Sequence, residues 1–307
     1  MKYTVVGRGE DARNIAEALA CKRFAFKSST DGIIIRYGNV RTVNARGYEA
    51  HPRYEINTIE AINNARNKFS SLEQFKRVGC RIPEATSNKP LIPNNSSDVW
   101  FGRTFYHHKG LDIKVCKTNR DIENAVNEGS EYFVKYIPIG KEYRYHVFGD
   151  KILQACIKFK EAGNGGVGNE DDIIRNLEHG WKFAEVEPQP KASEYAIKAC
   201  RALGLHFGAV DIIEELGHTK LYVLEVNTAP GLDNKRLEAY TTAFKEYINS
   251  VSQPPNERKV GKVIIPQWFQ DFAHNWYNTR EEFAYETHAH ALLHLFKQYQ
   301  EHINATT

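Results

Sequence analysis

Asp211, Glu225 and Asn227 are the side chains in this sequence whose types and spacing point most directly to chemistry. The stretch Tyr222 to Asn227 is rich in β-branched and aromatic residues and reads as a strand, so Glu225 and Asn227 project from one face. Asp211 lies on the preceding apolar run, and Glu215-Leu216-Gly217-His218-Thr219 reads as the turn that folds the two runs into a hairpin. Such a hairpin gathers three hard oxygen donors. A set of this kind suits Mg²⁺, which retains water and takes further ligands from phosphate. The plainer alternative makes these ordinary polar residues on a solvated face. It fits poorly with a carboxylate centred in Val-Leu-Glu-Val, where burial without a partner is costly.

An Asp, a strand turn, then Glu-x-Asn followed by Pro230-Gly231 resembles the metal signature of the ATP-grasp ligases. Further blocks occur in family order from Lys68 to Leu232. Tyr132 to Pro138 is similar to the strand and hinge that contact adenine, which implicates Lys135, Tyr136 and Ile137. Gly140 to Arg144 resembles the segment that follows. By that resemblance Glu142 lies at or near the ribose hydroxyls and Arg144 faces phosphate or an acyl substrate, a task suited to a bidentate guanidinium. Val99 to Arg103 reads as a strand entering a loop, Thr104 to Gly110, that resembles the phosphate-covering loop. Arg103 stands where the family usually has lysine, which keeps the charge and changes the donor geometry. Lys68 matches the other phosphate-binding lysine position, the alternative being a solvated lysine on an amphipathic helix.

The block Ile173 to Trp181 resembles the Arg-Asn and glycine stretch of ribosomal-protein glutamate ligases and their relatives, and D-alanine ligase-type enzymes share the wider pattern. Arg175 and Asn176 are implied to lie near the γ-phosphate and acyl phosphate. Lys158, at the end of the preceding strand, is a further candidate phosphate contact or else a solvated strand-end lysine. Glu161 to Glu170 has four glycines in ten residues. It reads as a flexible connector and lacks the lysine and hydroxyl of a P-loop.

The resemblance implies an α+β, ATP-grasp fold, with two α+β subdomains clasping ATP, a small N-terminal α/β domain and a C-terminal helical extension. The expected boundaries are 1–85 for the first domain, 86–252 for the ATP-grasp domain, divided near 138, and 253–307 for the extension. The implied activity is a Mg²⁺-dependent carboxylate–amine ligation in which ATP converts a carboxylate to an acyl phosphate and an amine displaces phosphate; Mn²⁺ is an expected substitute for Mg²⁺. The expected partners are small-molecule carboxylate and amine substrates, a macromolecular acceptor as an alternative, and a second copy of the chain in a homo-oligomer. Two other readings use the same ATP-binding features: a kinase that phosphorylates a hydroxyl, and an ATP-binding interaction module without chemistry.

With 307 residues, 41% apolar, 26% charged and a formal net charge of +3, the chain is long enough for more than one core. The near balance of charge, with lysines and arginines interspersed among acids, argues against a nucleic-acid-binding protein. No apolar run of about 18 residues is present, and Met1-Lys-Tyr-Thr-Val-Val-Gly passes directly into strand-like sequence. The expectation is a cytoplasmic protein without membrane attachment. Cys21, Cys80, Cys116, Cys156 and Cys200 are widely spaced without a C-x-x-C pair, which predicts free, mostly buried thiols.

The elements expected around these residues begin with a small α/β unit: a strand from Tyr3 to Val6, a helix from Ala12 to Ala20 and a strand from Gly32 to Tyr37. Gly7 and Gly9 lack the third glycine of a dinucleotide fingerprint and read as a tight strand-to-helix turn. Arg36, Asn39, Arg41 and Arg46 form either a substrate-facing basic edge or a solvated loop. Beyond Pro254-Pro255 the sequence turns aromatic, with Trp268, Phe272, Trp276 and Phe283 at helical spacings that predict packing faces. His290 and His294 lie one helical turn apart with His288 near, and a metal there would need ligands from elsewhere.

Overall fold

The computed structural model describes residues 3–25, 32–40, 54–106, 113–160 and 180–252. The described residues belong to one compact unit that ends at Ser252. The aromatic segment, its histidines, Arg41, Arg46, the loop from His107 to Gly110, and Arg175 with Asn176 all lie outside the described residues.

The first sheet is parallel, in the order β2-β1-β3-β4: β1 (Tyr3–Gly7), β2 (Lys22–Phe24), β3 (Ile33–Tyr37) and β4 (Tyr54–Ile56). Strand β3 is buried throughout, as expected for a parallel strand covered on both faces. Helix α1 (Gly9–Ala18) begins three residues earlier than the periodicity predicts, directly after the β1 turn. The glycines explain how tight that turn is. A Cβ on Gly7 would stand 2.9 Å from Ala12 Cβ, and Gly9 has φ +84°.

Arg36 corrects the expected basic edge. It is fully buried on β3, and its guanidinium meets Glu55 of β4 through Nη2–Oε1 at 2.6 Å and Nε–Oε2 at 3.3 Å. An arginine with neither solvent nor substrate at its head needs such a carboxylate. The Asn39 amide donates to the Ala25 carbonyl instead of facing outward.

Two antiparallel sheets follow. Helices α2 (Ile59–Arg66) and α3 (Lys68–Arg77) precede a small sheet ordered β5-β8-β6-β7, built from β5 (Ala85–Thr86), β6 (Trp100–Arg103), β7 (Lys114–Cys116) and β8 (Tyr132–Lys135). Helix α4 (Asn119–Asn127) crosses between β7 and β8 behind a Thr118/Asp121 capping box. The large sheet runs β11-β10-β9-β12-β13, from β9 (Ile139–Phe148), β10 (Lys151–Lys160), β11 (Trp181–Val186), β12 (Phe207–Glu215) and β13 (Leu221–Asn227). Helix α5 (Pro190–Ala202) packs on one side of this sheet, burying Ala192, Tyr195, Ala196, Ala199 and Cys200 with Tyr145, Val147 and Val210.

Helix α6 (Asn234–Ser252) brings Tyr240, Phe244 and Ile248 into a second core shared with Phe148 and Phe207 of the large sheet and with Val5, Ile33 and Tyr37 of the first sheet. All five cysteines are free; Cys21 is half-buried and the rest are buried. Among the described residues, no helix is long and apolar enough to cross a membrane.

Candidate active site

The expected hairpin forms with its carboxylates directly opposed. β12 pairs antiparallel with β13 so that Asp211 faces Glu225 and Ala209 faces Asn227. A register shift after Asp211 lets Ile212 pair with Val223, so one extra residue bulges from β13 beside the site. The Asn227 Nδ2 sits 3.1 Å from Asp211 Oδ2 and 3.2 Å from Glu225 Oε1. All three side chains therefore converge on one point.

Cations from separate elements reach the same point. Lys68, the first residue of α3, places Nζ 3.0 Å from Glu225 Oε2. Asn67 positions it twice over, capping α3 through Oδ1 to the Ser70 amide and giving α2 its C-cap. The Lys68 amide also donates to the Phe105 carbonyl at 3.0 Å, tying the helix start to the segment after β6. Arg144 on β9 grips Asp211 with Nε–Oδ1 at 2.7 Å and Nη2–Oδ2 at 2.9 Å, and its guanidinium carbon lies 4.7 Å from the Phe183 ring centroid. Burial alone would raise the Glu225 pKa. The Lys68 ammonium, with Arg103 and Arg144, outweighs that effect and holds the carboxyl well below the usual carboxylate range. Burial would likewise disfavour the charge on Arg144, but the Asp211 carboxylate reverses this and raises its pKa.

The remaining expected residues spread along the strands from there. Glu142 lies two residues before Arg144, hence on the same face of β9, and takes an ion pair from Lys158 of β10 at 2.6 Å. Lys158 also lies 5.8 Å from the Phe183 ring. Lys135 ends β8 and pairs with Asp98 at 2.8 Å. Tyr136 and Ile137 occupy the connection from β8 to β9, with the Tyr136 amide bonded to the Val99 carbonyl. Lys68, Arg103, Arg144, Asp211, Glu225 and Asn227 are thus assembled into one cluster, with Glu142 and Lys158 in the adjoining row and Lys135 outside it.

The donor set fits a hard divalent cation. Asp211 and Glu225 supply carboxylate oxygens, and rotating the Asn227 amide presents Oδ1 where Nδ2 now bridges them, a change that leaves the side-chain shape the same. Among the described residues, no group of three or more His, Cys, Asp or Glu side chains gathers as a metal cluster, and this site offers two carboxylates and an amide. Two carboxylates and an amide leave room for phosphate and water, as Mg²⁺ prefers.

His146 and Arg236 border the site and were not anticipated from the sequence. The signal for His146 was available: Glu142, Arg144 and His146 alternate along a strand whose other face is Tyr143, Tyr145 and Val147. No comparable pattern pointed to Arg236.

Residues 108–251, just under half of the chain, match the family model of a RimK-like ATP-grasp domain. A probable alpha-L-glutamate ligase of Parasynechococcus marenigrum is 26% identical over 232 residues, 71% of this chain and 46% of that relative. One from Saccharophagus degradans is 24% identical over 237 residues, 72% of this chain and 75% of the relative. The chain therefore spans less than half of the first relative and three quarters of the second. The solved structure of the ATP-grasp ligase PsnB, complexed with a phosphomimetic variant of a minimal precursor, Mg and ADP, aligns with TM-score 0.57 at 12% identity. The alignment covers 80% of this chain and 98% of that one, and at such identity the likeness establishes the fold.

Proposed function

Because this chain carries a RimK-like ATP-grasp domain and has the ATP-grasp fold, we propose that it is an ATP-dependent carboxylate–amine ligase that forms an amide and releases ADP and phosphate. The names of its relatives make L-glutamate the first amino-acid substrate to try. One observation carries the reading: Lys68 from α3, Arg103 from the small sheet and Arg144 from the large sheet all act on Glu225, beside the carboxylate of Asp211. Cations drawn from separate elements onto one carboxylate pair suit a cleft for a polyanion.

In this assignment Asp211, Glu225 and Asn227 hold Mg²⁺, or Mn²⁺ by the same preference for oxygen. Bound there, the metal supplies charge neutralisation for the phosphate oxygens. Lys68, Arg103 and Lys158 bind phosphate, Tyr136 and Ile137 line the adenine pocket with Lys135 beside it, and Glu142 faces ribose. Arg144 orients the transferring phosphoryl group and the substrate carboxylate. Arg175 and Asn176 keep their assignments near the acyl phosphate on the resemblance alone. The substrate carboxylate oxygen attacks the γ-phosphorus and ADP leaves. The amine nitrogen then attacks the acyl carbon, phosphate departs, and the amine loses a proton. No protein nucleophile takes part; the chain contributes in-line positioning and preorganised charge. We assign residues 1–85 as the acceptor-side domain, 86–252 as the ATP-grasp body and 253–307 as an extension.

Incubation with ATP, Mg²⁺ and pooled amino acids, followed by ADP and phosphate assays with mass spectrometry, tests this directly. Phosphate release with a product equal in mass to two substrates minus water is the expected result. ADP with a stable phosphorylated product would replace the ligase with a kinase.

A further inference from the structure

Lys68 and Arg103 both act on the Glu225 carboxylate, yet they come from different elements, the first turn of α3 and the end of β6. The link between them is Phe105. As the first residue of its helix, Lys68 has an amide with no acceptor inside the helix, and it donates to the Phe105 carbonyl at 3.0 Å. The Phe105 ring joins those of Phe69 and Tyr132, its centroid 5.9 Å from each, with 5.5 Å between those two. Rings at such separations attract one another beyond the effect of burial. Phe105 thus meets the start of α3 through its carbonyl, and meets both α3 and the small sheet through its ring.

Phe105 lies two residues beyond Arg103, where the ladder between β6 and β8 ends at the Arg103–Tyr132 pair. Its amide is therefore outside the sheet. Glu131, which immediately precedes β8, supplies the acceptor with its side chain: Oε2 takes the Phe105 N–H at 2.7 Å, while the Glu131 amide donates to the Arg103 carbonyl at 2.8 Å. One exposed residue is thus bonded on either side of Thr104, to the residue that carries one site cation and to the residue that receives the other. By charge alone, a carboxylate beside these cations disfavours a polyanion. Charge and hydrogen bonding therefore predict opposite signs for the effect of removing Glu131.

We propose that Glu131 is a positioning residue for the phosphate-binding cations: by holding Phe105 at its amide, it fixes the carbonyl that receives Lys68 and so sets the spacing between Lys68 and Arg103. The inference rests on the reading of those two cations as phosphate-binding residues. Glu131 acts through the backbone and not by contact with the nucleotide.

Calorimetry on the full chain, with Mg²⁺ present, would measure the affinities for β,γ-methylene ATP and for adenosine in the wild type, Glu131→Ala and Glu131→Gln. Both variants lose the charge, and only the glutamine keeps an oxygen for the Phe105 amide. Glu131→Ala should bind the triphosphate about fivefold more weakly, the net contribution of one hydrogen bond, and should bind adenosine as before. Glu131→Gln should match the wild type or bind the triphosphate more tightly. Hydrogen exchange read by mass spectrometry adds a second measure: peptides containing the Phe105 and Lys68 amides should exchange faster in Glu131→Ala and not in Glu131→Gln. If Glu131→Ala holds the triphosphate as tightly as the wild type, if Glu131→Gln weakens it equally, or if adenosine weakens by the same factor, the inference is overturned. A wild type that binds no triphosphate would sink the ATP reading itself. Faster exchange at Lys68 in Glu131→Ala would then still uphold the hold of Glu131 on α3, and unchanged exchange would remove both.

Discussion

Arg144 and Asp211 meet through two parallel hydrogen bonds, Nε–Oδ1 at 2.7 Å and Nη2–Oδ2 at 2.9 Å, in a pair whose aspartate is nearly inaccessible to solvent. Both strands that carry it are interior to the large sheet, and the ladder between β9 and β12 sets Arg144 directly opposite Asp211. Removing one partner strands the other charge. Asp211→Asn and Arg144→Met should each destabilise the chain by about 3 kcal/mol, and the double variant by less than the sum. Urea unfolding of the three variants checks this through the coupling energy.

Glu225→Gln retains the shape of the side chain and removes the charge that Lys68 now pairs with at 3.0 Å. Nucleotide turnover should fall by at least about 100-fold, since losing a ligand costs no less than losing its outer-shell support, while circular dichroism at neutral pH should match the wild type. Near-normal ADP release would remove the metal assignment.

Acid should weaken the fold through one buried imidazole, His146, and one half-buried imidazole, His206. Burial pushes the His146 pKa down to about 3 from an ordinary value of 6.5, with Arg236 and Arg144 adding to it, and burial also lowers that of His206. A depressed histidine pKa means that the unfolded chain takes up the proton first. The wild type is therefore fully stable in this respect above pH 6.5 and loses stability as pH falls toward the folded value, by up to about 1.4 kcal/mol per pH unit for each histidine. Urea midpoints at pH 7 and pH 5 should show the loss, and His146→Gln should reduce it, leaving the His206 share.

Asn57 adopts φ 61° and is fully buried. Its Oδ1 accepts from the His206 and Phe207 amides at 2.8 and 3.1 Å, and its Nδ2 donates to the Phe207 carbonyl at 2.9 Å. Asn57→Ala loses all three bonds and keeps an unfavourable backbone, so a cost of about 3 kcal/mol is expected. Asn57→Gly should recover about 1 kcal/mol of that by relieving the left-handed strain. Equal midpoints for the two variants would mean that the backbone conformation carries no cost there.

How far the site could be read from the sequence depended on the range of its contacts. Asp211, Glu225 and Asn227 belong to one hairpin, and alternation within a strand is enough to place them together. Lys68 meets Glu225 only because α3 packs against β13, a pairing across more than 150 residues that no local pattern encodes; the family resemblance supplied it. His146 was visible in the alternation of β9 but silent about its neighbours, since Arg236 and Tyr240 reach it from a helix nearly a hundred residues later. Arg36 misled because charge suggests a surface, while Ile33-Ile34-Ile35 before it already had the continuous apolar character of a strand buried on both faces.

At the end of β3, Gly38 lies so close to the segment after Asn227 that a Cβ there would stand 2.7 Å from Ala229 Cβ. Tyr37 donates to the Pro230 carbonyl beside it, and Asp11 accepts from the Leu232 amide at 3.3 Å. A sheet that contributes none of the assigned ATP or metal ligands thus acts as the gauge block for the loop that leaves them. With only the Ala229 methyl between the two backbones to absorb error, a shift of the first sheet passes almost undiminished to that loop. Residues 38 and 229 should therefore tolerate exchange only as a matched pair, one growing as the other shrinks, and then only where the left-handed backbone at position 38 is respected.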